Sequence, residues 1–282
     1  MRVKQTARKS TGGCAPRAEL KKLAARKRKN YENFYEPSED TFILLDALEE
    51  DIQFINDLNP LMVLEIGCGA GLGINYLAKN LKNAKKTLFF ATDLNKNAIE
   101  AAVQTSQTEK THNLVNLINC GLTLPFIDRL DNSFDILLFN LSYALTEANE
   151  LVSNAPAKAI GKYLVAKVDW KDETDKEGFK DESSSPSSSP SSSLSIKSVN
   201  LKGKTSREVM DHIFPLVDRL LSKDGVFYLV CSESIRFGDI KMIKEIEKLE
   251  TKFGFTMSTL LEEDSGVECL FALKFVREKK SD

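Results

Sequence analysis

The sequence predicts an α/β protein with a doubly wound, mostly parallel seven-stranded sheet that ends in an antiparallel hairpin. Short apolar runs alternate with segments of helical periodicity along most of the chain after residue 37. Parallel strands covered by helices on both faces have this pattern, because each crossover places a helix over the sheet. The last two strand-like runs are separated only by a short polar turn, as in a hairpin.

Each strand is predicted from a short apolar run, and each helix from apolar residues three or four positions apart. The strands are expected at Leu61 to Ile66, Thr87 to Thr92, Leu114 to Ile118, Phe134 to Phe139 and Val226 to Cys231. The helices are expected at Ser38 to Glu49, Gly71 to Leu81, Lys96 to Thr108, Arg207 to Leu221 and Asp239 to Phe253. The hairpin strands are Phe255 to Leu261 and Glu268 to Val276. The crossovers between parallel strands should be right-handed.

Composition favours a soluble protein of a reducing compartment. The chain has 282 residues, of which 42% are apolar and 28% charged, and no run of about 18 apolar residues indicates a membrane span. Its five cysteines form no C-x-x-C pair, and its two histidines stand alone, so neither disulfides nor a metal site is expected. We therefore expect a cytoplasmic or nuclear location, with no contact with membranes.

A basic segment precedes an acidic domain. Residues 1 to 30 contain eleven Lys or Arg and one acid, Glu19, with few large apolar residues, so this segment is expected to be disordered on its own. The text KQTARKSTGG, from Lys4 to Gly13, and AARK, from Ala24 to Lys27, resemble a core histone N-terminal tail. Three explanations stay open: a mimic that chromatin readers bind, an internal substrate, or a gene fusion.

The domain itself is predicted to span residues 31 to 282, with an insertion at about 144 to 204. The insertion contains an acidic stretch and then SSSPSSSPSSS, from Ser183 to Ser193. Such a composition cannot bury a core and is typical of an exposed, flexible loop.

A glycine-rich turn follows the first strand. The text EIGCGAGLG begins at Glu65 and places glycines at positions 67, 69 and 71, which allow a tight turn and close approach of a ligand. A turn of this kind also occurs in dinucleotide-binding enzymes. Glu65 favours a cationic ligand over a pyrophosphate, and Asp93 ends the second strand, where it could accept hydrogen bonds from ribose hydroxyls. The pattern favours S-adenosylmethionine; NAD and a turn without a ligand are the alternatives.

Asn140, Leu141, Ser142 and Tyr143 follow the fourth strand. Amino-group methyltransferases have an Asn-Pro-Pro-Tyr turn at this position. In that turn the asparagine oxygen and the next carbonyl accept hydrogen bonds from the target nitrogen, so that positioning supplies most of the catalytic effect.

Three motifs together resemble the HemK-type protein glutamine N5-methyltransferases of eukaryotes and archaea, which have the class I (Rossmann-like) methyltransferase fold. The motifs are YEPSEDTF from Tyr35 to Phe42, REVMDHIFPLV from Arg207 to Val217 and LLSKDGVFYLV from Leu220 to Val230. The resemblance covers about residues 31 to 275. It implies methylation of a glutamine side-chain amide in a class I translation termination factor.

The resemblance also assigns residues and a partner. Asn140 and Tyr143 would frame the target amide, and a small zinc-binding activator subunit would pair with the edge strand Leu114 to Ile118. The residues expected to bind the cofactor are Thr41, Glu65, Gly67, Gly69, Gly71, Asp93, Leu94 and Asn140.

The sequence departs from this family at two places. Leu141 and Ser142 replace two prolines, which adds backbone freedom to the turn, and Gly121 stands where relatives have an aspartate that contacts adenine. Three alternatives therefore stay open: a catalytically weakened pseudoenzyme, a chromatin interaction protein that uses the histone-like segment, and a methyltransferase that acts on lysine, including histone lysine.

Overall fold

The computed structural model describes residues 8–9, 37–93, 95–121, 123, 125–141, 165–167, 197–199, 206–234, 242–264 and 268–277. These residues form one large sheet and a separate two-stranded sheet, with helices between the strands. The strands are β1 (Arg8–Lys9), β2 (Met62–Ile66), β3 (Leu88–Asp93), β4 (Val115–Asn119), β5 (Phe134–Asn140), β6 (Val165–Lys167), β7 (Lys197–Val199), β8 (Leu221–Ser234), β9 (Phe255–Asp264) and β10 (Glu268–Arg277). The helices are α1 (Glu39–Glu50), α2 (Ile52–Leu58), α3 (Leu72–Asn80), α4 (Lys96–Glu109), α5 (Ser206–Leu220) and α6 (Met242–Phe253), with a 3₁₀ turn at Ala84–Lys86.

The large sheet has the strand order β1-β9-β10-β8-β5-β2-β3-β4. Strands β4, β3, β2, β5 and β8 pair in parallel, and β10 lies antiparallel between β8 and β9. The predicted seven strands, the doubly wound order and the C-terminal hairpin are confirmed. The two-residue strand β1 adds an eighth strand, parallel to β9, which the sequence analysis did not predict.

The side chains of the central strands alternate between two hydrophobic cores, one on each face of the sheet. In β5, Ile136 and Leu138 belong to the core that α1, α3 and α4 cover, whereas Leu137 and Phe139 belong to the core that α5 and α6 cover. All four side chains are at most 2% exposed. This explains why the strand sequences are apolar throughout, since neither face of the sheet meets water.

The structure differs from the predictions in the extent of several elements. Helix α2 was not predicted, and β8 begins at Leu221, directly after α5, although its first residues include the polar text Ser-Lys-Asp-Gly. Strands β6 and β7 pair antiparallel within the segment predicted as a flexible insertion. The rest of that insertion, and most of residues 1 to 30, lie outside the described residues. Among the described helices, none is long and apolar enough to cross a membrane.

Candidate functional site

A cavity lies where the first turn of α1 meets the carboxyl ends of β2 and β5. Five of the residues predicted for the site line it: Thr41, Glu65, Gly67, Gly69 and Asn140. The lining also includes Pro37, Leu44, Cys68, Ala70 and Leu72, which the sequence analysis did not identify. The topology brings these residues together, because parallel strands β2 and β5 are neighbours and end at the same edge of the sheet.

The glycine-rich turn has the backbone conformation that its sequence predicts. Gly67, Gly69 and Gly71 have φ angles of 65°, 52° and 71°, which L side chains rarely adopt. Gly71 begins α3 and does not line the cavity; a Cβ atom there would lie 2.9 Å from the Cβ of Ala102. Gly71 therefore serves the packing of α3 against α4, while Gly67 and Gly69 form part of the cavity wall.

Glu65 is a buried acid at the cavity wall. Its Oε2 atom accepts a hydrogen bond of 2.9 Å from the backbone N–H of Ile74, in the first turn of α3. Burial, together with the nearby charge of Asp93, raises its pKa to about 8. A Cβ atom at Gly73 would lie only 2.5 Å from Oε1, so a larger residue at that position would shift the carboxyl group. This acid is placed to ionise when a cation enters the cavity.

Asp93 supports the glycine-rich turn from the end of β3. Its Oδ2 atom accepts a hydrogen bond of 2.9 Å from the N–H of Gly69, and its Oδ1 atom accepts one of 2.8 Å from the N–H of Asn95. Burial raises its pKa to about 6. Asp93 does not line the cavity. Its predicted contact with a ribose stays a prediction.

The side-chain amide of Asn140 is held through its nitrogen, while its oxygen has no partner among the described residues. Its Nδ2 atom donates a hydrogen bond of 3.0 Å to Oδ2 of Asp40, whereas its buried Oδ1 has no hydrogen-bond partner among the described residues. The hydroxyl of Ser38 in turn donates a short hydrogen bond to Oδ1 of Asp40. A carboxylate accepts only, so this contact orients the asparagine amide and leaves its oxygen available as an acceptor.

Asp40 is a site residue that the sequence analysis missed. It is only 4% exposed, although it is an acid in the first turn of a helix, where acids are usually solvated. Its position inside the motif YEPSEDTF was the one feature of the sequence that could have indicated a role in the site. Its hydrogen-bond partner, Asn140, lies 100 residues away in the sequence. Leu141 is fully buried beside the site, and Leu94, Ser142 and Tyr143 lie outside the described residues.

Cys68 lines the cavity with an uncharged side chain. Burial raises the pKa of its thiol well above the ordinary value of 9.0, and Asp93 and Glu65 raise it further. The thiol group is therefore protonated at neutral pH and is not a nucleophile.

The comparisons with known proteins agree with this arrangement. Residues 64–156, which contain the glycine-rich turn, Glu65, Asp93 and Asn140, match the family described as "Methyltransferase domain". The whole chain also resembles a solved carbon methyltransferase, CurJ, with a TM-score of 0.51, 12% identity and coverage of 94% of this chain and 60% of the other, which supports the fold alone. The chain has the class I methyltransferase fold and contains a methyltransferase domain, for which S-adenosylmethionine is the methyl donor.

More particular relatives confirm the resemblance to the HemK-type enzymes. "Methyltransferase HEMK2" of Homo sapiens is 29% identical over 247 residues, which cover 88% of this chain and 91% of the human protein. The "eRF1 methyltransferase catalytic subunit mtq2" of Schizosaccharomyces pombe is 28% identical over 255 residues, with coverage of 88% and 91%. The chain is thus a homologue of these methyltransferases over most of its length.

Proposed function

We propose that the protein transfers a methyl group from S-adenosylmethionine to the side-chain amide of a glutamine in a translation termination factor. The observation that carries this proposal is the buried Oδ1 atom of Asn140 in the cavity wall, which has no hydrogen-bond partner in the part of the chain that the structure describes. A buried oxygen without a partner is costly unless a ligand supplies one. A target nitrogen that donates to this oxygen would satisfy it.

The cavity suits a cationic nucleoside. Glu65 would hold the cation, the narrow turn of Gly67 and Gly69 would lie against the ligand, and Thr41 would add a hydroxyl group from α1. Leu94 and Asp93 are proposed to contact the same ligand, from the turn after β3. The cofactor supplies an electrophilic methyl group, and the remaining task of the protein is to orient the acceptor nitrogen.

The chemistry of the lining residues favours an amide target over an amine. An amine is protonated at neutral pH and must lose a proton before it can attack a methyl group, whereas an amide nitrogen is already neutral. Only Glu65 and Cys68 titrate among the lining residues, and we assign Glu65 to the cofactor. Asn140 needs no base to act; it holds the amide N–H so that the nitrogen faces the methyl group.

The relatives suggest the substrate and a partner. The name of the fission yeast relative states that it is an eRF1 methyltransferase and a catalytic subunit. We extend both features to this chain: the termination factor is the substrate, and a small zinc-binding activator subunit is the partner. Strand β4 is the open edge for that partner, since it pairs only with β3 among the described strands.

Transfer of labelled methyl groups to the purified termination factor tests the proposal, with the activator subunit present and absent. We expect the wild type to label one glutamine, which mass spectrometry locates. Asn140→Ala should lower turnover about 100-fold, much more than it lowers the affinity for the cofactor. Asn83→Ala, which removes an exposed side-chain hydrogen bond to Asn59, is the matched control. The proposal fails if the glutamine stays unlabelled or if label appears on a lysine instead.

A further inference from the structure

The two-residue strand β1 occupies part of an edge of the large sheet. Arg8 pairs with Leu261 and Lys9 with Glu262, in parallel with β9. Strand β9 is ten residues long, and no other described strand lies on its outer side. An open strand edge presents unpaired N–H and C=O groups, which an extended segment satisfies by adding a strand.

The direction of β1 is set by the sheet. Strand β10 is antiparallel to both β8 and β9, so β9, and β1 with it, run in the same direction as β8 and β5. The pairing also falls in the second half of β9 rather than at its beginning. The segment is therefore held near the edge of the sheet at which β2 and β5 end in the candidate site.

Charge favours this pairing. Strand β9 ends in Glu262, Glu263 and Asp264, and β10 begins with Glu268. The first ten residues of the chain contain Arg2, Lys4, Arg8 and Lys9 and no acid. The two basic residues of β1 therefore lie beside an acidic strand end.

We propose that β9 is a docking strand for an extended basic segment, and that its occupant is the N-terminal segment of this same chain, residues 1 to 10. Backbone pairing fixes the parallel register, and the opposite charges select a basic occupant. Neither the family match nor the proposed methyl transfer assigns a role to this edge. A basic peptide from another molecule would have to displace the N-terminal segment to use it.

Hydrogen exchange of the full-length chain, followed by mass spectrometry of the fragment that contains β9, tests the docking. We expect Arg8→Glu with Lys9→Glu to increase exchange in residues 260–264 about tenfold, and high salt to do the same in the wild type. The matched control is Arg26→Glu with Lys27→Glu, which makes the same charge change elsewhere in the basic segment. Thermal melting verifies that each variant is folded.

A synthetic peptide of residues 1–13, added to the Arg8→Glu, Lys9→Glu variant, should restore the protection of β9. Protection that depends on protein concentration would show exchange between two copies and would overturn docking within one chain. Equal exchange in the wild type and the Arg8→Glu, Lys9→Glu variant would overturn the pairing itself. An equal loss of protection in the control would show that charge alone, without register, explains the effect.

Discussion

Replacing Glu65 by glutamine tests whether this carboxylate supplies the charge that holds the cofactor. Glutamine keeps an oxygen that can accept the 2.9 Å hydrogen bond from the N–H of Ile74, so the start of α3 should stay in place. In the wild type, the pKa of about 8 means that Glu65 is mostly protonated at neutral pH and must ionise to pair with a cation. We therefore expect the two proteins to bind S-adenosylmethionine similarly in mild acid and to diverge as the pH rises.

The size of the effect follows from the two raised pKa values. Between about pH 6 and about pH 7, the ionised fraction of Glu65 rises from about 1% to about 9%, a ninefold gain worth about 1.3 kcal/mol. Over the same interval Asp93, with a pKa of about 6, ionises from about half to about nine-tenths. Affinity should therefore rise about 16-fold in the wild type and about twofold in Glu65→Gln. The α-amino group of the ligand stays cationic through most of this interval.

Isothermal titration calorimetry measures both the affinity and the protons released. Titrations in two buffers of different ionisation enthalpy should show release of about 0.9 proton per cofactor from Glu65 at about pH 7 in the wild type. The matched control is Glu100→Gln, because Glu100 is an exposed acid paired with Lys96 on α4. A flat pH profile in the wild type, or the same slope in Glu65→Gln, would refute the assignment of Glu65 to the cation.

Three further predictions concern the same cavity. Gly73→Ala should lower cofactor affinity at least tenfold by calorimetry, because its Cβ would lie 2.5 Å from Oε1 of Glu65; unchanged affinity would mean that Glu65 can move without loss. Asp40→Ala should release the amide of Asn140 and lower turnover about 10- to 100-fold without changing the dissociation constant of the cofactor, and an equal loss of both would show a structural role instead. Without cofactor, the free energy of unfolding should decrease as the pH rises from about 4.5 to about 8, because the folded state holds the Glu65 proton to a higher pH than the unfolded state does. Urea denaturation of Glu65→Gln should keep only the part of this decrease that lies below about pH 6, which comes from the raised pKa of Asp93.

The sheet and the glycine-rich turn could be predicted because their signals are local. Strands β2, β3 and β5 are short apolar runs, and the glycines of the turn are adjacent in the sequence. The ends of these strands can also be predicted from the residues that directly follow them. That Glu65 and Asn140 lie close together could then be predicted, because the carboxyl ends of neighbouring parallel strands lie at the same edge of the sheet.

Contacts that depend on the docking of a helix could not be predicted in the same way. The hydrogen bond between Asp40 and Asn140 exists because α1 packs across the end of β5. No pattern in the sequence predicts where this helix packs. Asp93 has a second role that could not be predicted, for a related reason. Both of its oxygens accept backbone N–H groups of the turns at Gly69 and Asn95, a use that becomes visible only when the turns are built.

The Asn-Leu-Ser-Tyr turn shows how packing can replace a covalent constraint. From the sequence, the loss of a proline at position 141 gives the turn backbone freedom, which costs about 0.4–1 kcal/mol. In the structure, Leu141 is fully buried and belongs to the same core as Phe139 and Phe126. Burial of a leucine side chain contributes about 1.5–3 kcal/mol, which exceeds the constraint that the proline ring would supply. Asn140 is therefore anchored by Asp40 on one side and by the buried Leu141 on the other, so the missing proline is not by itself an argument for an inactive site.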